Sequence, residues 1–148
     1  MRVIEGVRRS GFGVAPDSTV RQAAVTMERA GVGALAVVDG DRLVGIVTDR
    51  DLACRVVAPG GPLDGRIDGV MSSPVVTIDA GADLHEAFAV FRTHGVRRLA
   101  VVREDRFVGM VTVDDLLIDL AGHLSDLSRP VTGEVLFPQH AAEAPVAT

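Results

Sequence analysis

The sequence predicts a mixed α/β (α+β) fold of two βαββα units packed about a pseudo-twofold axis. Three observations carry this. Sliding the chain by 64 positions aligns residues 15–52 with 79–116 without a gap, and 15 of the 38 pairs are identical. The stretch Gly45-Ile46-Val47-Thr48-Asp49-Arg50-Asp51-Leu52 returns as Gly109-Met110-Val111-Thr112-Val113-Asp114-Asp115-Leu116. In both copies an amphipathic helical period gives way to two continuous apolar runs and then to a helix start. Two copies are too few for a solenoid and suit a face-to-face pair.

The elements follow in order. Residues 1–10 read as a short lead-in helix with Arg8-Arg9 on a solvated face, and residues 11–14 as a brief extended piece. Pro16 punctuates, and Asp17, Ser18 or Thr19 can cap a helix. That helix runs from about Thr19 to Ala30, with Val20, Ala23, Ala24 and Met27 at i, i+3, i+4 and i+7. Its second-copy face is Leu84, Ala87, Phe88 and Phe91. Gly31 and Gly95 suit the left-handed position that ends a helix. Ala34–Val38 and Leu43–Val47 form a hairpin across Asp39-Gly40-Asp41. The second copy has Arg103-Glu104-Asp105 there, which predicts another turn type. A helix from Asp49 to about Val57 closes the first unit.

Pro59-Gly60-Gly61-Pro62 is the clearest linker. A short helix near Ile67–Met71 follows, and Ser73–Ile78 opens the second unit. The last helix is expected from about Val113 to Leu127, with an apolar stripe of Leu116, Leu117, Leu120, Leu124 and Leu127 that is wider than one small unit needs. The organisation is therefore a first repeat over 1–57 with its lead-in, a linker over 58–66, a second repeat over 67–127, and a partly disordered tail over 128–148, with Ala141–Thr148 disordered.

Composition excludes several classes. Of 148 residues, 47% are hydrophobic, with five Phe and neither Trp nor Tyr, so the core is aliphatic. A formal charge of −5 argues against a general nucleic-acid binder. Cys54 alone allows no internal disulfide and no structural zinc site, and a buried, inert thiol is expected there. His85, His94, His123 and His140 have no metal-ligand spacing. No apolar run reaches the roughly 20 residues of a membrane span. The first residues lack a secretory apolar stretch, so a cytoplasmic protein is expected. No nucleophile–base pair, phosphate-cradling glycine loop or metal cluster is present, so no catalytic residue is proposed. Asp114-Asp115 are adjacent on a helix and do not face one another.

The candidate site is the repeated strand–helix junction. Thr48 and Thr112 stand where an N-cap belongs, with Asp51 and Asp115 three residues on. Capping alone accounts for the pattern. The free N–H groups and the helix dipole also favour an anion there.

With the 64-residue spacing, the two G-h-h-T-x-x-D elements at Gly45–Asp51 and Gly109–Asp115, the stretch His94–Val102 and Met71–Thr77, the sequence resembles a tandem pair of cystathionine-β-synthase (CBS) domains. That arrangement is a Bateman module; the resemblance covers about residues 1–127 and is to the stand-alone bacterial proteins. It implies a non-enzymatic regulatory module that needs no cofactor and binds an adenosine-containing ligand, AMP, ADP or ATP, in clefts between the repeats. It further implies an unidentified regulated protein as partner. The charge and the short apolar runs imply no nucleic-acid or membrane partner, and the apolar helix faces left over once the pair is assembled imply a homodimer. By that resemblance Asp51 and Asp115 hold ribose hydroxyls. Thr48 and Thr112 offer hydroxyls to a phosphate, and Arg50, Arg97 and Arg98 are the candidate cations, because a guanidinium forks onto phosphate oxygens. Adenine would rest near Phe12 and Val14 in one site and near Val76, Thr77 and Ile78 in the other. The copies differ at Gly33-Ala34 against Arg97-Arg98 and at Arg50 against Asp114, so the two sites are not chemically equivalent. Two alternatives stand beside this reading: a ligand-independent interaction module, and a sensor of S-adenosylmethionine or a dinucleotide.

Overall fold

A computed structural model describes residues 12–136, with side chains as far as Arg129. The lead-in helix expected over residues 1–10 and the disordered end of the tail lie outside the described residues.

Each unit builds the same way. In the first, β1 (Gly13–Val14) leads to α1 (Val20–Ala30), β2 (Ala34–Asp39), β3 (Arg42–Thr48) and α2 (Asp49–Leu52), which continues as wider π-type turns over Ala53–Val57. The second has β4 (Thr77–Asp79), α3 (Leu84–His94), β5 (Arg98–Arg103), β6 (Arg106–Thr112) and α4 (Val113–Leu136). Thr19 caps α1 and Asp83 caps α3, each with a reciprocal Gln22 or Glu86 side chain. Gly31 and Gly95 end the two helices at φ +62°, the left-handed conformation that glycine adopts at no steric cost.

Strand order is β1-β2-β3-β6-β5-β4. Both hairpins share a register, Ala34 opposite Thr48 and Arg98 opposite Thr112, and both shift register after Val37 and Val101. The turns differ as expected. Gly40 takes φ +68° in the first, whereas Glu104 and Asp105 both take positive φ (50° and 61°) in the second. The units meet where Arg42 pairs with Arg106. There Phe107 N–H donates to Asp41 O at 3.0 Å, and Arg106 Nε lies 3.1 Å from Asp41 Oδ2.

Two aliphatic cores result. Val20, Ala23, Met27, Leu35, Val37 and Val47 close the first around Leu52, Val56 and Ile67. Ala87, Phe91, Leu99, Val101 and Val111 close the second around Ile78 and Leu116. Ala24, expected on the buried face of α1, is exposed: the buried stripe follows i, i+3 and i+7 and leaves i+4 at its edge. Cys54, expected to be buried, is exposed as well, because Leu52 and Val56 take the buried face of its helix. Ile67, in a 3₁₀ turn (Ile67–Gly69), leads toward the second unit in sequence yet is fully buried in the first unit's core, with Val70 and Met71 beside it. The last helix does not stop near Leu127 but reaches Leu136, past Pro130. The expected end marked where the apolar stripe stops, and helical backbone can continue without a buried face.

Candidate functional site

Both strand-to-helix junctions rest on one local chemistry. Thr48 ends β3 in extended backbone, φ −113° and ψ 162°. Its Oγ1 accepts from Asp51 N–H at 3.1 Å, and its own N–H donates to Asp51 Oδ2 at 2.9 Å. In the second unit Asp115 N–H donates to Thr112 Oγ1 at 3.0 Å. The two carboxylates then diverge. Asp51 is engaged by its cap and lies 3.8 Å from Arg55 Nε. Arg55 in turn donates to the carbonyls of Val70 at 2.8 Å and Met71 at 3.3 Å. Among the described residues no hydrogen bond or ion pair reaches the Asp115 carboxylate; Asp115 lines a cavity instead.

That cavity, of about 310 Å³, lies between the units. One wall comes from the first unit, from Phe12 and the turn Gly31-Val32-Gly33-Ala34. The other comes from the second, from Arg98, Met110, Thr112, Asp114 and Asp115. Arg98 and Thr112 are direct partners across the β5–β6 ladder, so the guanidinium and the hydroxyl leave the sheet side by side. Gly33 keeps the opposite wall open: a Cβ there would sit 3.0 Å from Asp49 Oδ2 and 3.5 Å from Arg98 Nη2. Arg97 is turned to Asp114, Nη2 to Oδ1 3.1 Å, on exposed surface. Among the described residues Arg98 has no ion pair.

The fold thus brings together Phe12, Arg98, Thr112 and Asp115 from the expected set. Thr48, Arg50, Asp51 and Arg97 do not line this cavity. Val14 packs on the first core, Val76 packs on the second, and Ile78 is buried within it. Their strand register explains this: Val14 is opposite Val37 and Ile78 opposite Val101, both wholly buried. Thr77 lines a second cavity of about 690 Å³ with Arg42, Ser73, Pro74 and Asp105. Val32, Met110 and Asp114 are lining residues that sequence reasoning did not select. Gly33-Ala34 standing where the other copy has two arginines was the one signal of open space.

Outside the cavity, the paired side chains of Arg66 and Asp68 perturb one another. The Arg66 guanidinium hydrogen-bonds Asp68 at 2.8 Å and holds its carboxyl below the usual range; the same bond holds Arg66 above its own. Among the described residues no group of three His, Cys, Asp or Glu could hold a metal, and no helix is long and apolar enough to cross a membrane.

Two βαββα units in one sheet, with a ligand-sized cavity between them, define a paired-domain regulatory module. The chain belongs to the CBS domain family, whose model matches residues 8–57 and again 67–122. It is 39% identical over 118 residues to the uncharacterized protein YlbB of Bacillus subtilis, spanning 74% of this chain and 80% of that one. It is 35% identical over 106 residues to the CBS domain-containing protein YhcV of the same organism, spanning 72% and 76%. A CBS domain protein from Pyrobaculum aerophilum, solved in complex with AMP, superposes with a TM-score of 0.71 at 26% identity, over 82% of this chain and 99% of that one.

Proposed function

We propose that the chain is a non-enzymatic regulatory module that takes an adenosine-containing ligand between its two units and signals its presence to a partner protein. The observation that carries this is the cavity in which a carboxylate, a hydroxyl and a guanidinium with no ion pair among the described residues meet an apolar wall. The Asp115 carboxylate can accept from both hydroxyls of a ribose, because an ionised carboxylate is an acceptor with two oxygens. Phe12, Val32, Ala34 and Met110 offer an apolar slot for adenine, and Arg98 with the start of the 24-residue α4 offers charge and N–H groups to a phosphate. The AMP complex of the Pyrobaculum relative supports the same ligand class. Ligand bound across the cleft touches both units, so it biases their relative orientation, which a partner can read.

At the first junction a second reading is favoured. Asp51 is consumed by its capping box and faces Arg55, so Thr48 and Asp51 act there as a helix cap. We assign ligand binding to the Thr112–Asp115 side.

Isothermal titration with AMP, ATP and S-adenosylmethionine tests the proposal, after an absorbance spectrum of the purified protein. With neither Trp nor Tyr in the chain, co-purified adenine shows directly. Saturable heat from any of the three, weakened at least about tenfold (about 1.4 kcal/mol) in Asp115→Ala, is expected. A clean spectrum with flat titrations leaves a ligand-independent interaction module.

A further inference from the structure

The charges around the cavity choose among adenosine ligands. Resting on the reading just given, we infer that this site selects adenosine compounds carrying at most one phosphate, and that Asp114 is the residue that turns polyphosphates away. Arg98 is the single cation lining the cavity among the described residues. Two carboxylates, Asp114 and Asp115, line it as well, and Asp49 Oδ2 lies at its edge over Gly33. Arg97 is the next cation, and its Nη2 is already held by Asp114 at 3.1 Å. One guanidinium can fork onto one phosphate. Among the described residues a second and third phosphate find no further uncommitted cation, and they approach Asp114, whose side chain is 70% exposed. The volume agrees, since about 310 Å³ stands at the small end of ligand sites, roughly 300–1,000 Å³.

The internal repeat supplies the control. The first unit has Arg50 where the second has Asp114. Asp114→Arg therefore installs a residue this fold already carries at that position. It removes a carboxylate, adds a cation and releases Arg97. Because Asp114 is exposed, the change leaves the core untouched, and a thermal melt confirms it.

The test is titration of the full chain with AMP and with ATP in magnesium-free buffer at two ionic strengths. AMP is expected to bind at least about tenfold more tightly than ATP in the unmodified protein. The gap narrows with added salt, because the exclusion is electrostatic. In Asp114→Arg the preference is expected to shrink by about tenfold or to reverse. Wild-type protein that binds ATP as tightly as AMP overturns the inference and leaves the adenosine reading standing, as does a preference unmoved by Asp114→Arg. Failure of AMP, ATP and S-adenosylmethionine all to bind overturns the two together.

Discussion

Asp51 and Asp115 occupy the same place in the repeat, yet their surroundings give them different work. Removing the Asp51 side chain takes the acceptor from Thr48 N–H and leaves Thr48 Oγ1 on the Asp51 N–H, above Leu52, which is 8% exposed. Loss of one such hydrogen bond costs about 0.5–1.5 kcal/mol. Asp51→Ala is therefore expected to lower the urea midpoint while ligand affinity stays within about twofold of wild type. Asp115→Ala is expected to do the reverse, because its carboxylate lines the cavity. Equal effects of the two variants on binding would contradict this division. Gly33 offers a further check. Its backbone is not left-handed, and the nearest obstacles to a Cβ are ends of the Asp49 and Arg98 side chains. Gly33→Leu is expected to fill the cavity and abolish binding with little change in stability, read by titration and melting of the same sample. The Thr/Asp junctions were legible in sequence because a cap closes within four residues. Which Asp faces a cavity was not, because that depends on Arg55 reaching the connecting segment in one unit, and on Phe12 and the Gly31–Ala34 turn reaching across from the other.

At the level of elements, the connection between units is a strap. Residues 63–68 run along the start of α1, with Val20 N–H donating to Gly65 O at 2.9 Å, Arg21 N–H to Leu63 O at 3.0 Å and Ile67 N–H to Ser18 O at 2.8 Å. Pro59–Pro62 reads as a linker, but nothing local announces that the chain beyond it returns to the first core, since one isoleucine in a polar stretch carries no periodic signal. The Arg66–Asp68 pair lies within the strap. Asp68 is held below its ordinary pKa, so the pair's contribution is present above about pH 4 and lost as pH falls through the lower, folded value. Stability is expected to be flat in this respect from pH 6 to 8. Asp68→Asn is expected to flatten part of the acid limb of a pH–stability curve, by a small amount because both groups are solvent-exposed. The second hairpin offers a stabilising change. Asp105 sits at φ +61° in a two-residue turn, where Gly is preferred. Asp105→Gly is expected to gain about 0.5–1 kcal/mol in urea unfolding, since a side chain in the left-handed region is strained.

For the whole molecule, the repeat was legible because both copies keep the apolar positions that make two cores. What the repeat left unspecified is how those copies join. One backbone pairing at Arg42 and Arg106 merges two three-stranded halves into one sheet, and the cavity between the units draws its walls from both. The assembly also leaves one face of α4 uncovered. Leu117, Leu124 and Leu127 are 48%, 58% and 70% exposed, and with Leu120 they follow the 3-4-3 spacing of a coiled-coil seam. We propose that this seam pairs with its own copy in a twofold dimer, the commonest closed arrangement of identical chains. Sedimentation equilibrium is expected to give a dimer for the unmodified chain. Leu124→Glu sets like charges against each other at the centre of the seam, and is expected to give a monomer. Leu124 lines neither cavity, and the walls around Asp115 come from one chain. The monomer is therefore expected to keep its nucleotide affinity within about threefold. A monomeric wild type, or a Leu124→Glu variant that stays dimeric, refutes the seam. Loss of ligand affinity on becoming monomeric refutes the separation of site from interface, and places part of the binding energy in the contact between copies.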